Sequence, residues 1–154
     1  MSRLIDLGYR VADVHHRYHT VHSAVFGAAS LRLVLDAILG RRRQTYQAHA
    51  KTLKALRADL AELDREVAVL VEEGAVKATE REVRHVLLDY VRALDKAVSG
   101  LLVIFENLQH DESAYRDTGV DGRSGFTRDK LGYDRSLSEL ERLGTRLNRL
   151  FANF

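Results

Sequence analysis

Residues 83–108 read VRHVLLDYVRALDKAVSGLLVIFENL. Val83, Leu87, Tyr90, Leu94, Ala97, Leu101, Ile104 and Leu108 follow one another in steps of three and four. On a helix that spacing keeps every named side chain on one face, and sustained over several turns it is the seam of a coiled coil. Val91, Val98 and Phe105 form a second apolar row beside it. The wide apolar face predicts that this helix is the most buried of the chain.

Working outward, the same rhythm recurs. Leu4, Leu7, Val11, Val14, Tyr18, Val21, Val25 and Ala28 form a seam, which then slips by one residue to Leu31, Leu35 and Ile38. Such a slip overwinds a coil or hands the helix to another neighbour. A further seam runs Tyr46, His49, Leu53, Leu56, Leu60, Leu63, Val67, Leu70, and a last one Tyr133, Leu137, Leu140, Gly144, Leu147, Phe151, Phe154. Gly40 and Gly74 are natural helix stops. Thr79 with Glu82, and Ser136 with Glu139, have capping-box spacing. Helices are therefore expected over about residues 3–39, 42–73, 79–110 and 127–153, with a polar, glycine-rich loop over 111–125. The first two connections are short, so successive helices should run antiparallel. The expectation is an all-α, single domain over residues 1–154: an antiparallel up-down-up-down four-helix bundle with long coiled-coil-like helices.

Composition agrees. The 154 residues are 45% hydrophobic and 30% charged, with no proline to break a helix and no cysteine for disulfides or thiolate metal sites. Met1-Ser2-Arg3-Leu4 lacks the layout of a signal peptide, and the most apolar run, Ser23 to Gly40, carries Arg32 and Asp36. These features point to a cytoplasmic protein with no membrane span.

The net charge is only +2, but it is unevenly spread. Arg41, Arg42, Arg43, Lys51, Lys54 and Arg57 fall in a stretch without an acidic residue. This basic half of the second helix is the candidate nucleic-acid-binding surface, because clustered cations on one face are what phosphates recognise.

The other unusual stretch holds four of the seven histidines between residues 15 and 22. His15, His19 and His22 are spaced four and three apart, so they share a helix face and are candidate ligands for a transition metal such as Zn or Ni. An antiparallel hairpin turning near Gly40 should bring them opposite Glu62, Asp64 and Glu66. Glu82 and His85 have the Glu-x-x-His spacing of di-iron bundles, but no second such pair exists. Arg17 and His22 have an Arg-x4-His spacing, repeated by Arg10 and His15, that resembles the motif of HEPN-type ribonucleases. That two-residue resemblance implies a helical dimer with arginine and histidine near a scissile phosphate. In that family the motif lies late in the chain, and here it lies early. The loop Asp117 to Phe126 lacks the closing glutamate of a calcium site.

No catalytic constellation is complete. The leading expectation is therefore a non-enzymatic interaction, scaffold or assembly subunit that self-associates as a dimer or binds a protein partner. A nucleic-acid-binding subunit and a histidine-rich metal-binding bundle are the alternatives.

Overall fold

A computed structural model describes residues 2–26, 36–37, 39–75, 77–119 and 122–154. Among them are four helices and no strand: α1 (Ser2–Phe26), α2 (Arg42–Glu73), α3 (Ala78–Arg116) and α4 (Gly125–Ala152). None of these helices is long and apolar enough to cross a membrane. The slipped part of the first seam, Leu31, Leu35 and Ile38, lies outside the described residues.

Most of the seam residues become the core; on α4 only Tyr133, Leu140 and Leu147 of the expected seam are buried, joined by Leu143, while Leu137, Gly144 and Phe151 are half-buried and Phe154 is exposed. Leu4, Leu7, Val11, Val14, Tyr18 and Val21 of α1 are buried, and so are the eight seam residues of α3 together with Val91, Val98 and Phe105. On α2 the buried residue is Ala50 rather than the neighbouring His49. Helix α3 packs extensively on both α2 and α4, whereas α1 leans more lightly on α2 and α3.

Ion pairs set the register. Arg3 meets Glu73 at 3.3 Å, Arg10 meets Glu66 at 2.8 Å and Arg17 meets Asp59 at 3.0 Å. Residue numbers on α1 rise by seven as those on α2 fall by seven, so one flank of each helix faces the other along their shared length. Arg92–Asp64 at 2.9 Å and Arg57–Asp95 at 3.3 Å do the same between α2 and α3. Arg146–Glu82 at 2.9 Å joins α4 to α3.

The helix ends differ from their expected chemistry. Gly74 has φ of 72°, a conformation that costs a side chain dearly, and its amide donates to the Val71 carbonyl. The guanidinium of Arg84 then donates to the Leu70 and Gly74 carbonyls at 2.6 and 2.8 Å, and to Glu80 at 2.5 Å. A cation placed on the last carbonyls of α2 satisfies acceptors that the helix leaves open. Lys77, not Thr79, occupies the N-cap of α3, and Ser136 sits inside α4, where its hydroxyl donates to the Gly132 carbonyl. Both capping-box patterns thus fall on helix interiors.

The segment expected as a loop from residue 111 is partly helical. Asp111 breaks α3 with φ −156° and ψ 87°, and its carboxylate accepts the Ala114 amide at 3.1 Å, restarting a last turn. Tyr115 folds back from that turn, edge-on to Phe126, and donates to Asp129 at 2.7 Å. Ser124 caps α4 by accepting the Thr127 amide at 3.0 Å.

Candidate functional site

Helices α1 and α4 face each other without backbone packing, and a cavity of about 930 Å³ lies between them. Ile5, Gly8, Tyr9 and Ala12 line one wall, Gly144, Leu147 and Phe151 the other, and Tyr90 of α3 the floor. Glycine gives the cavity its depth. A Cβ on Gly144 would approach the Tyr90 ring to 3.2 Å. One end is narrowed by Phe151, whose ring would lie 3.4 Å from a Cβ on Gly8. Tyr9 and Ile5 stand at the rim, 75% and 41% exposed.

At the other end the walls are polar. His15, His19 and His22 line the cavity along α1, with successive ring centroids 6.3 and 6.2 Å apart. Two of them are tied to tyrosines on other helices. Tyr90 Oη lies 2.7 Å from His15 Nδ1, and Tyr133 Oη of α4 lies 2.7 Å from His22 Nδ1. Tyr133 Oη also meets Tyr18 Oη. Tyr18 and Tyr133 are 2% and 1% exposed, so neither hydroxyl has water to fall back on.

Proton counting assigns the direction of this chain. Only if Tyr18 donates to Tyr133, and Tyr133 to His22 Nδ1, does every proton between the buried hydroxyls find an acceptor. Reversing the chain strands the Tyr18 proton. By the same count Tyr90 donates to His15. Each of these imidazoles then carries its own proton on Nε2, and is neutral.

The electrostatics agree with that assignment. Burial, helped by His19 and His16, holds His15 below the ordinary imidazole value of 6.5. Burial also lowers His22, with His19 and Lys130 adding to it and Asp134 opposing. Burial pushes the Tyr18 and Tyr90 phenols up to about 12, and Tyr133 further still. All three phenols are therefore protonated donors across the physiological range.

The expected carboxylate partners are elsewhere. Glu66 binds Arg10, and Asp64 binds Arg92. The histidines face α3 and α4, because the flank of α1 that meets α2 carries Arg3, Arg10 and Arg17 instead. Among the described residues no group of three or more His, Asp or Glu side chains is placed to hold a metal ion. Arg17 pairs with Asp13 and Asp59 on the α2 side, both at 3.0 Å, while His22 faces α4. The arginine and histidine of the Arg-x4-His spacing thus do not share a face. Arg10 and His15 diverge in the same way.

The basic half of α2 is partly neutralised within the fold. Arg42 meets Glu112 at 3.0 Å, Lys54 meets Glu106 at 3.6 Å and Arg57 meets Asp95. Arg41, Arg43 and Lys51 are exposed. Tyr90 and Tyr133 read in the sequence only as seam residues. The available signal was a tyrosine on each of two seams, whose buried hydroxyl needs a partner.

No known protein family, no curated protein and no solved structure matches this chain.

Proposed function

We propose that the protein is a non-enzymatic helical-bundle interaction protein whose recognition site is the cavity between α1 and α4. The architecture we infer for it is the antiparallel up-down-up-down bundle of coiled-coil-like helices, left open along one side. The observation that carries this reading is the lining of the cavity. An apolar concavity of this size, with a few convergent polar groups of shifted acidity, is the usual form of a binding site between helices. His15 and His22 are tied to tyrosines, the Ser23 hydroxyl approaches His19 Nδ1 only to 3.4 Å, and among the described residues lining the cavity there is no cysteine or paired carboxylate to complete a catalytic set.

The test is saturable binding of an environment-sensitive naphthalene sulfonate dye to the folded protein. A blue-shifted emission that saturates at one equivalent, and is lost in Ala12→Trp, is the expected result. Ala12 lies on the cavity wall and is exposed, so a tryptophan there fills the space without disturbing the core. Equal dye binding by the variant would remove the site from the cavity. A mass that doubles with concentration, and reverts in Ala12→Trp, would make the occupant a second copy of the chain.

A further inference from the structure

We propose that the α1–α4 cavity binds a single extended acyl chain with a carboxylate head, its tail against Gly8, Leu147 and Phe151 and its head at the imidazoles of His15, His19 and His22. The proposal rests on the reading of this cavity as the recognition site, and names what enters it.

The shape of the cavity favours a thin ligand. Phe151 lies on Gly8 at one end, and Tyr133 is hydrogen-bonded to His22 at the other. Side chains thus bridge the two walls at both ends, leaving a bay and not a continuous trough. A partner helix, ~10 Å across with its side chains, would have to displace one bridge or the other to lie between the walls. A polymethylene chain is far thinner. From Gly8 to His22 the bay spans ~21 Å at ~1.5 Å per residue. An extended chain advances roughly 1.25 Å per carbon given bonds of about 1.5 Å, so a chain of about sixteen carbons spans it.

The lining also changes along the bay. Ile5, Gly8, Ala12, Leu147 and Phe151 give the tail an apolar track, with Tyr9, Thr145 and Asn148 the polar side chains beside it. The head end presents a row of three imidazoles with successive centroids 6.3 and 6.2 Å apart, so a carboxylate reaches one or two neighbouring rings; His15 and His22 keep an Nε2 proton because Tyr90 and Tyr133 occupy Nδ1. A carboxylate accepts such donors, and charge assistance strengthens the bonds. The other charged and titratable groups facing this end, among the described residues, are His16 and Tyr18 of α1, Tyr90 of α3, and Lys130, Tyr133, Asp134 and Glu141 of α4. Lys130 is already paired with Asp134 at 2.6 Å. Among the described residues, Glu141 is the one carboxylate lining the bay. It opposes an anionic head, so its removal must strengthen binding of a carboxylate and weaken binding of an amine.

The experiment is displacement of the dye from the full-length protein by dodecanoate, dodecanol and dodecylamine, each below its micelle concentration. Dodecanoate should bind about ten-fold more tightly than the other two, the value of one charge-assisted hydrogen bond. His19→Ala should narrow that preference, and Glu141→Gln should widen it. Equal affinity for the three heads, or preference for the amine, overturns the assignment of the head. Failure of all three amphiphiles to displace a dye that Ala12→Trp still abolishes overturns the acyl-chain proposal and leaves the recognition site standing. Loss of saturable dye binding altogether removes the site itself.

Discussion

Replacing Tyr133 with phenylalanine tests the direction of the buried hydroxyl chain. The substitution removes the acceptor for the Tyr18 hydroxyl and the donor to His22 Nδ1. Tyr18 is 2% exposed, so its proton is left without a partner. An orphaned buried donor costs ~1–3 kcal/mol, and the lost bond to His22 adds ~0.5–1.5 kcal/mol. The expected destabilisation is ~2–4 kcal/mol. Tyr18→Phe is milder. It leaves Tyr133 still donating to His22, so it forfeits one net hydrogen bond, ~1 kcal/mol. The double variant leaves no orphaned hydroxyl between them and should cost ~1–2 kcal/mol, less than the sum of the singles. Urea unfolding at pH 7.5, followed by circular dichroism, resolves these values. With a slope of ~2 kcal/mol per molar, Tyr133→Phe should lower the midpoint by ~1–2 M. If Tyr18→Phe proves as damaging as Tyr133→Phe, or if the two effects add, the chain does not run as assigned.

Three other outcomes follow from the same structure. His15 and His22 bind a proton less readily folded than unfolded, where the value is 6.5. Their neutral forms therefore add no pH slope above about 6.5, and stability should fall as pH drops below it, until the folded-state values are passed. A His15→Gln/His22→Gln variant should flatten the melting temperature between pH 7 and 5, measured by circular dichroism. Leu94→Ala should cost ~2–5 kcal/mol, since Leu94 is fully buried in α3, whereas Leu131→Ala, 43% exposed, should stay within ~0.5 kcal/mol in the same urea assay. Arg10→Ala should cost no more than ~1 kcal/mol despite its two-bond pairing with Glu66, because both side chains are about one-third exposed, and the loss should shrink in 1 M salt.

The seams were legible in the sequence because burial on a helix imposes its period on the residues. Leu4 to Val21, Leu53 to Leu70 and Val83 to Leu108 needed no tertiary information. The facing of the histidines did need it. A seam says which side is inside, but not which flank meets which neighbour. The evidence for that was present in another form: Arg3, Arg10 and Arg17 recur every seven residues, and so do Asp59, Glu66 and Glu73. Two complementary charge rows of one period mark a shared flank, and they leave His15, His19 and His22 for the other side. The caps failed for a different reason. Ser/Thr-x-x-Glu also arises by chance on solvated helix faces, as at Ser136, where Glu139 binds Arg142 and not the backbone. At Asp111 the polar run looks like a loop, yet one carboxylate on one amide is enough to restart a helical turn.

Helix α3 is the shared neighbour of the other three, and α1 is the most lightly held. That imbalance predicts an order of events. Amide hydrogens in the middle of α3, around Leu94 to Leu101, should exchange only through global unfolding. Those of α1 should exchange earlier, in a partial opening that leaves α2, α3 and α4 together. Release of α1 breaks the arginine ladder to α2 and the tyrosine links at His15 and His22 in one event. The wall of the cavity is thus also the detachable part of the molecule, and anything bound there should slow the exchange of α1 before it alters that of α3.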